Sequence, residues 1–148
     1  MLDVGAGHGV ITAALLELDL GLRVIAVESH AARAGALRAR FGDTEVVVVR
    51  ADAADLRLPR RPFHVVANPP FALSAPLLRR LVHPGSRLVT AHLVLQRQVA
   101  RRWAGPDAPA AARWRRTFTP MLGPAVPRRA FRPPPQVDAQ VLVLRRHR

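Results

Sequence analysis

Cysteine is absent from the 148-residue sequence. That excludes a disulfide framework and a thiolate zinc site. The six histidines (His8, His30, His64, His83, His92 and His147) are scattered without ligand-like spacing, so no metal is expected. No apolar run is long enough to span a bilayer, and the opening Met1-Leu2-Asp3-Val4-Gly5 lacks the basic stretch and apolar segment of a secretory leader. A cytoplasmic protein with no membrane partner is expected. Lysine is absent too, and acidic residues are few: 10 against 23 basic residues, all arginine, for a formal net charge of +13. A GC-rich genome favours arginine over lysine, but codon bias alone does not create so large an excess of positive charge. The excess points to a nucleic acid, since basic surface raises affinity for phosphates without specifying sequence.

The length allows one domain with a single core. In the first half, short β-branched runs alternate with helical patterns, which predicts parallel strands over 1–4, 23–27, 45–49, 64–67 and 87–95 joined by amphipathic helices. Ile11, Ala14, Leu15 and Leu18 recur at helical spacing, as do Ala34, Leu37 and Phe41. Ser74 reads as the N-cap of a helix running to Leu81, with Pro76 in its first turn. The fold class is α/β, a doubly wound and mostly parallel sheet. After Trp103 the texture changes: 105–109 reads as a linker, 110–116 as a short helix, and 118–122 with 140–145 as a final antiparallel pair. The closing 145–148 reads as a solvated tail.

Asp3-Val4-Gly5-Ala6-Gly7-His8-Gly9 lies between a strand and a helix, where glycines let the backbone turn tightly and approach a ligand. The spacing is G-x-G-x-G rather than G-x-G-x-x-G, and Asp3 stands at the strand end. Both favour a cofactor with an amino-acid moiety, S-adenosylmethionine, over one with a pyrophosphate. Glu28 ends the second strand, nineteen positions after Gly9, where a carboxylate can accept from both ribose hydroxyls. Capping the helix near His30 is its alternative role, shared with Ser29. Asp52, flanked by Ala53, offers a carboxylate to an adenine amine after the third strand, with Asp55 as a competitor further into the loop.

Asn68-Pro69-Pro70-Phe71 follows the fourth strand, at the edge where open α/β sheets place their ligands. An exocyclic adenine amine is a poor nucleophile, because its lone pair is delocalised into the ring. The Asn68 side-chain oxygen and the Pro69 carbonyl can each accept one of its N–H bonds, which aims the nitrogen and favours its rehybridisation without a strong base. Phe71 offers a face on which an extruded base can stack. Phe131, ahead of Pro133-Pro134-Pro135, reads equally as a second wall of a base pocket or as core. The arginine clusters are individually solvated and collectively an RNA-facing surface.

These residues resemble the ribosomal RNA adenine N6-methyltransferases, and within them the Erm type that modifies 23S RNA. The resemblance rests on Asp3 to Gly9, Glu28, Asp52, Asn68 to Phe71, Leu93 to Arg97, and Ala130 to Pro135 followed by Val137-Asp138. It implies methyl transfer from S-adenosylmethionine to N6 of a 23S adenosine, with resistance to macrolide, lincosamide and streptogramin B antibiotics. It also implies that Ser29, Ala53 and Asn68 help hold the cofactor and that Phe131 contacts the base. A monomeric, single catalytic domain over 1–148 is expected, without the family's N-terminal Gln-Asn-Phe segment and C-terminal helical domain. Other readings are the 16S, KsgA-like branch of the same family, a non-catalytic RNA-binding remnant, and a methyltransferase for DNA adenine or protein glutamine.

Overall fold

The computed structural model describes residues 1–19 and 21–147. Its first half alternates β1 (Leu2–Val4), α1 (Val10–Glu17), β2 (Val24–Glu28), α2 (Ala31–Phe41), β3 (Val46–Arg50), β4 (Phe63–Ala67) and α3 (Ser74–Leu81). The second half adds β5 (Leu88–Gln96), α4 (Arg97–Ala104), α5 (Ala111–Trp114), β6 (Phe118–Val126) and β7 (Ala139–Arg146). Among the described residues, seven strands form one sheet in the order β3-β2-β1-β4-β5-β7-β6. Strands β1 to β5 run parallel, and β7 and β6 close the sheet antiparallel. This is the doubly wound α/β sheet expected.

Alternation along β2 shows why both faces need cover. Ala26 packs with Leu37 and Phe41 of α2, while Ile25 and Val27 join the larger core that holds Leu77, Leu78 and Leu81 of α3. Strands buried on both faces read as nearly unbroken apolar runs, as Val24 to Val27 does. At the outer edge, β6 carries Pro120 and Pro124, which remove two donors from a strand with one free side and blunt it against further pairing. No helix among the described residues is long and apolar enough to cross a membrane.

Three expectations are corrected. Ser74 is the first residue of α3 rather than its cap: the helix continues a 3-10 turn over Phe71–Leu73, so no extended residue precedes it, and the serine hydroxyl is buried without a partner. The stretch 105–109 is no free linker, because Ala108 is buried and the rings of Trp103 and Trp114 stack with centroids 5.6 Å apart. The Trp114 Nε1–H donates to the Pro109 carbonyl at 2.8 Å, which clamps the segment between them. Finally, Arg145 and Arg146 belong to β7, and Arg146 donates to the carbonyls of Leu88 (2.6 Å) and Ser86 (2.5 Å). Arg148 lies outside the described residues.

Candidate active site

Strand β1 has β2 on one side and β4 on the other, so the chain leaves the carboxyl ends of β1 and β4 toward opposite faces of the sheet. The crevice at such a reversal is where open α/β sheets bind ligands. Here it is a cavity of about 390 Å³, within the roughly 300–1,000 Å³ typical of small-molecule sites. Gly5 and Gly7 follow β1, Glu28 and Ser29 close β2, Ala53 follows β3, and Asn68 to Phe71 follow β4; all of them line it, and Phe131 reaches it from the loop before β7.

On the β1 side the backbone makes the shape. Gly5 has φ +75°, and a Cβ there would sit 3.1 Å from Pro70 Cδ and 3.3 Å from Pro69 Cα, so only glycine lets the two loops touch. Gly9 also has φ +79°, but its added Cβ would strike Phe41 and Leu37; it fits α1 against α2 and does not line the cavity. Glu28 is almost fully buried at the cavity wall. Its Oε1 accepts from the His30 N–H (2.8 Å) and from Arg33 (3.0 Å), and its Oε2 accepts from the Gly7 N–H (3.0 Å). Burial pushes Glu28 upward, but these three bonds and the Arg33 charge outweigh it and hold the carboxyl below its ordinary range. Glu28 is therefore both the helix-capping acceptor and a cavity wall, and Oε2 retains a free lone pair.

Asp3 is placed differently from its expected role. It lies wholly buried under the glycine turn, its Oδ2 accepts from the Thr12 hydroxyl at 2.7 Å, and Oδ1 has no partner. Burial pushes its carboxyl up to about 6, against the pull of the Thr12 hydrogen bonds. Asp52 also misses the cavity: its Oδ1 turns back to the Ala54 N–H at 2.8 Å, while its neighbours Ala51 and Ala53 line the wall. The bond to the backbone N–H two residues on occupies one of its two carboxylate oxygens.

On the β4 side, Asn68 is exposed to the cavity, and Phe71 and Phe131 are half-buried in its walls. Neither ring joins the buried core, which removes the core reading of Phe131. The Phe131 loop is held from its far end: Asp138 pairs with Arg128 at 2.8 Å and Arg97 at 3.2 Å, and the Arg97 N–H donates to the Asp138 carbonyl at 2.8 Å. Pro133 and Pro135 line the cavity beside Phe131, and His8 lines it from the glycine turn; sequence reasoning missed Arg33 and Leu73, which line it too. Arg33 is the third residue of α2, and it reaches Glu28, five positions back at the end of β2, only through the turn between the two elements. Among the described residues no group of three or more acidic or histidine side chains could hold a metal ion.

The family model described as "Ribosomal RNA adenine dimethylase" matches residues 1–148. An rRNA adenine N-6-methyltransferase of Corynebacterium diphtheriae is 39% identical over 148 residues, covering 99% of this chain and 57% of that protein. The mycinamicin-resistance protein MyrB of Micromonospora griseorubida is 40% identical over 151 residues, 99% of this chain and 46% of that protein. A ribosomal RNA small subunit methyltransferase A of Anaeromyxobacter dehalogenans is 35% identical over 163 residues, 96% of this chain and 56% of that protein. The chain thus spans about half the length of the curated relatives it matches. Among solved structures, the 23S rRNA methyltransferase ErmE superposes with a TM-score of 0.86 at 25% identity, over 99% of this chain and 60% of that one.

Proposed function

The chain belongs to the ribosomal RNA adenine dimethylase family, and on that premise we propose that it transfers a methyl group from S-adenosylmethionine to N6 of an adenosine in 23S ribosomal RNA. The observation that carries this reading is the convergence of Glu28, Asn68, Phe71 and Phe131 on one cavity. The residues fit the cofactor. A buried carboxylate oxygen of Glu28 keeps a lone pair for a ribose hydroxyl, and Gly5 has no side chain to fill the space between the β1 and β4 loops. Gly5, Gly7, Glu28, Ser29, Ala53 and Asn68 would hold it, and Asp3 would act from below by supporting the turn through Thr12. When bound there, S-adenosylmethionine supplies an electrophilic methyl group on a sulfonium.

The chain's own part is positioning. Asn68 Oδ1 and the Pro69 carbonyl accept the two N6 hydrogens and draw the nitrogen lone pair out of conjugation with the purine, while Phe71 and Phe131 hold the extruded base by its faces. No side chain at the cavity needs to act as a strong base, because the nitrogen becomes acidic only as the new N–C bond forms and its proton can then pass to solvent. Residues 1–148 act in this reading as one catalytic domain, monomeric and cytoplasmic, and the modification confers macrolide, lincosamide and streptogramin B resistance. The names of ErmE and MyrB support the 23S target and the resistance.

The test is incubation of the purified chain with labelled S-adenosylmethionine and, in parallel, protein-free 23S RNA, 16S RNA and DNA. N6-methyladenosine in the 23S RNA is expected; label confined to 16S RNA moves the chain to the small-subunit branch, and label in neither RNA sinks the proposal. In the same assay Asn68→Ala should lower turnover by about 10²-fold or more, a larger loss than the weakening of cofactor affinity measured by calorimetry. Equal loss of both would contradict the assigned role.

A further inference from the structure

A second cleft, of about 500 Å³, lies at the opposite edge of the sheet from the cavity just described. Its residues precede strands instead of following them: Leu58, Pro59 and Arg60 come just before β4, Gly85 and Ser86 just before β5, and Arg79, Arg80 and His83 come from the end of α3 and the turn after it. No carboxylate lines it. Its polar groups are donors. The His83 Nδ1 accepts the Gly85 N–H at 3.2 Å, so in the neutral ring Nε2 carries the proton. Ser86 is buried at the base of the cleft, where its Oγ accepts the Leu88 N–H at 3.2 Å.

The arginines divide their work. Arg80 holds the wall together, donating to the Ala54 carbonyl and pairing with Asp55 at 3.5 Å, outside the lining. Arg60 and Arg79 are exposed and form no ion pair among the described residues. Leu58 and Pro59 add an apolar wall suited to the face of a ribose. A concave site of donors beside an apolar wall, in a chain of net charge +13, selects a phosphodiester over any cation or neutral ligand.

We propose that this cleft is a second RNA-binding site, which grips the phosphodiester backbone of the substrate RNA away from the target adenosine through Arg60, Arg79 and His83. The proposal rests on the reading of the chain as an RNA methyltransferase. The two sites lie at opposite ends of β4, a five-residue strand about 17 Å long. Helices about 10 Å across cover the sheet, so RNA on the surface must follow a longer path than that straight line. The three internucleotide phosphates of a tetranucleotide do not cover it, whereas a long stem-loop can.

The experiment is an anisotropy titration of a labelled stem-loop of about 30 nucleotides and of a labelled adenosine-containing tetranucleotide across 50–200 mM salt. The chain is compared with its Arg60→Gln/Arg79→Gln variant and with Arg38→Gln/Arg113→Gln, which removes two exposed arginines elsewhere. For the stem-loop, the cleft variant should bind about tenfold more weakly or worse, with the slope of log K against log salt reduced by about 1.8 for two lost contacts. Its tetranucleotide binding, S-adenosylmethionine affinity and melting temperature should match those of the unsubstituted chain. Equal losses in the two arginine variants would mean that overall charge is acting, and would overturn the cleft alone. Failure of the unsubstituted chain to bind the stem-loop would overturn the RNA reading beneath it, and a melting-temperature loss shared by Arg79→Lys would assign these arginines to structure.

Discussion

Asp3 ends β1 with one oxygen on Thr12 and the other unpartnered, both out of solvent. Its folded carboxyl titrates near 6 against an ordinary value of 3.8. Between those values the folded chain binds the proton that the unfolded chain has lost, so stability is fully present below 3.8 and falls as pH rises through 6. The loss amounts to about 3 kcal/mol at most. Glu28 works in the other direction, since its lowered carboxyl contributes stability that is lost only as pH falls through its acidic titration. Asp3→Asn should therefore be more stable than the parent at pH 7.5 and gain little at pH 4.5, measured as urea midpoints at the two values. A parent midpoint that does not fall between pH 4.5 and 7.5 would refute the argument. The partnership behind this behaviour is not legible in the sequence: the Asp3 side chain answers to a threonine nine positions away. What was legible at this scale is the glycine turn, because residues that must adopt positive φ announce themselves by having no Cβ.

Among the elements, the loop carrying Phe131 has no regular structure beyond a 3-10 turn over Arg128–Ala130, and its position is set by Asp138. One carboxylate joins Arg128, inside the loop, to Arg97 at the start of α4, and the two guanidinium groups hold the Asp138 carboxyl below its ordinary range, Arg128 most strongly. Such an exposed pair adds little to global stability. It can still decide where an aromatic wall stands. Asp138→Asn is expected to raise KM for RNA several-fold while leaving the melting temperature and cofactor affinity nearly unchanged; steady-state kinetics on 23S RNA beside a thermal melt checks this, and an unchanged KM would remove the positioning role. The helices and parallel strands were readable because their periodicity is local. The stretch 105–109 was misread because its glycine and prolines are local signals of a break, whereas the stacking of Trp103 on Trp114 that overrides them is a tertiary contact.

For the molecule as a whole, the cavity collects residues from the ends of β1, β2, β3 and β4 and from the loop before β7. A ligand seated there touches most of the sheet, so its binding free energy adds to the stability of the entire fold. S-adenosylmethionine at about 100 times its Kd should raise the unfolding free energy by about 2.7 kcal/mol, visible as a shift of the whole thermal transition rather than of an early shoulder. A transition that does not move would argue that the chain does not bind the cofactor. The net charge announced a polyanion at the level of composition, but how the arginines divide between the two sheet edges could not be read there. Arg60 and Arg79 are nineteen residues apart and meet only because the parallel crossover returns α3 to the amino edge.

The contact between Gly5 and the Pro69-Pro70 pair joins the wall assigned to the cofactor to the wall assigned to the base. Two loops packed this closely do not shift independently, so a ligand that draws in one sets the other. In the function proposed above such coupling would be reciprocal by thermodynamic necessity: whatever factor a bound cofactor contributed to the hold on RNA, the RNA would return in the hold on the cofactor.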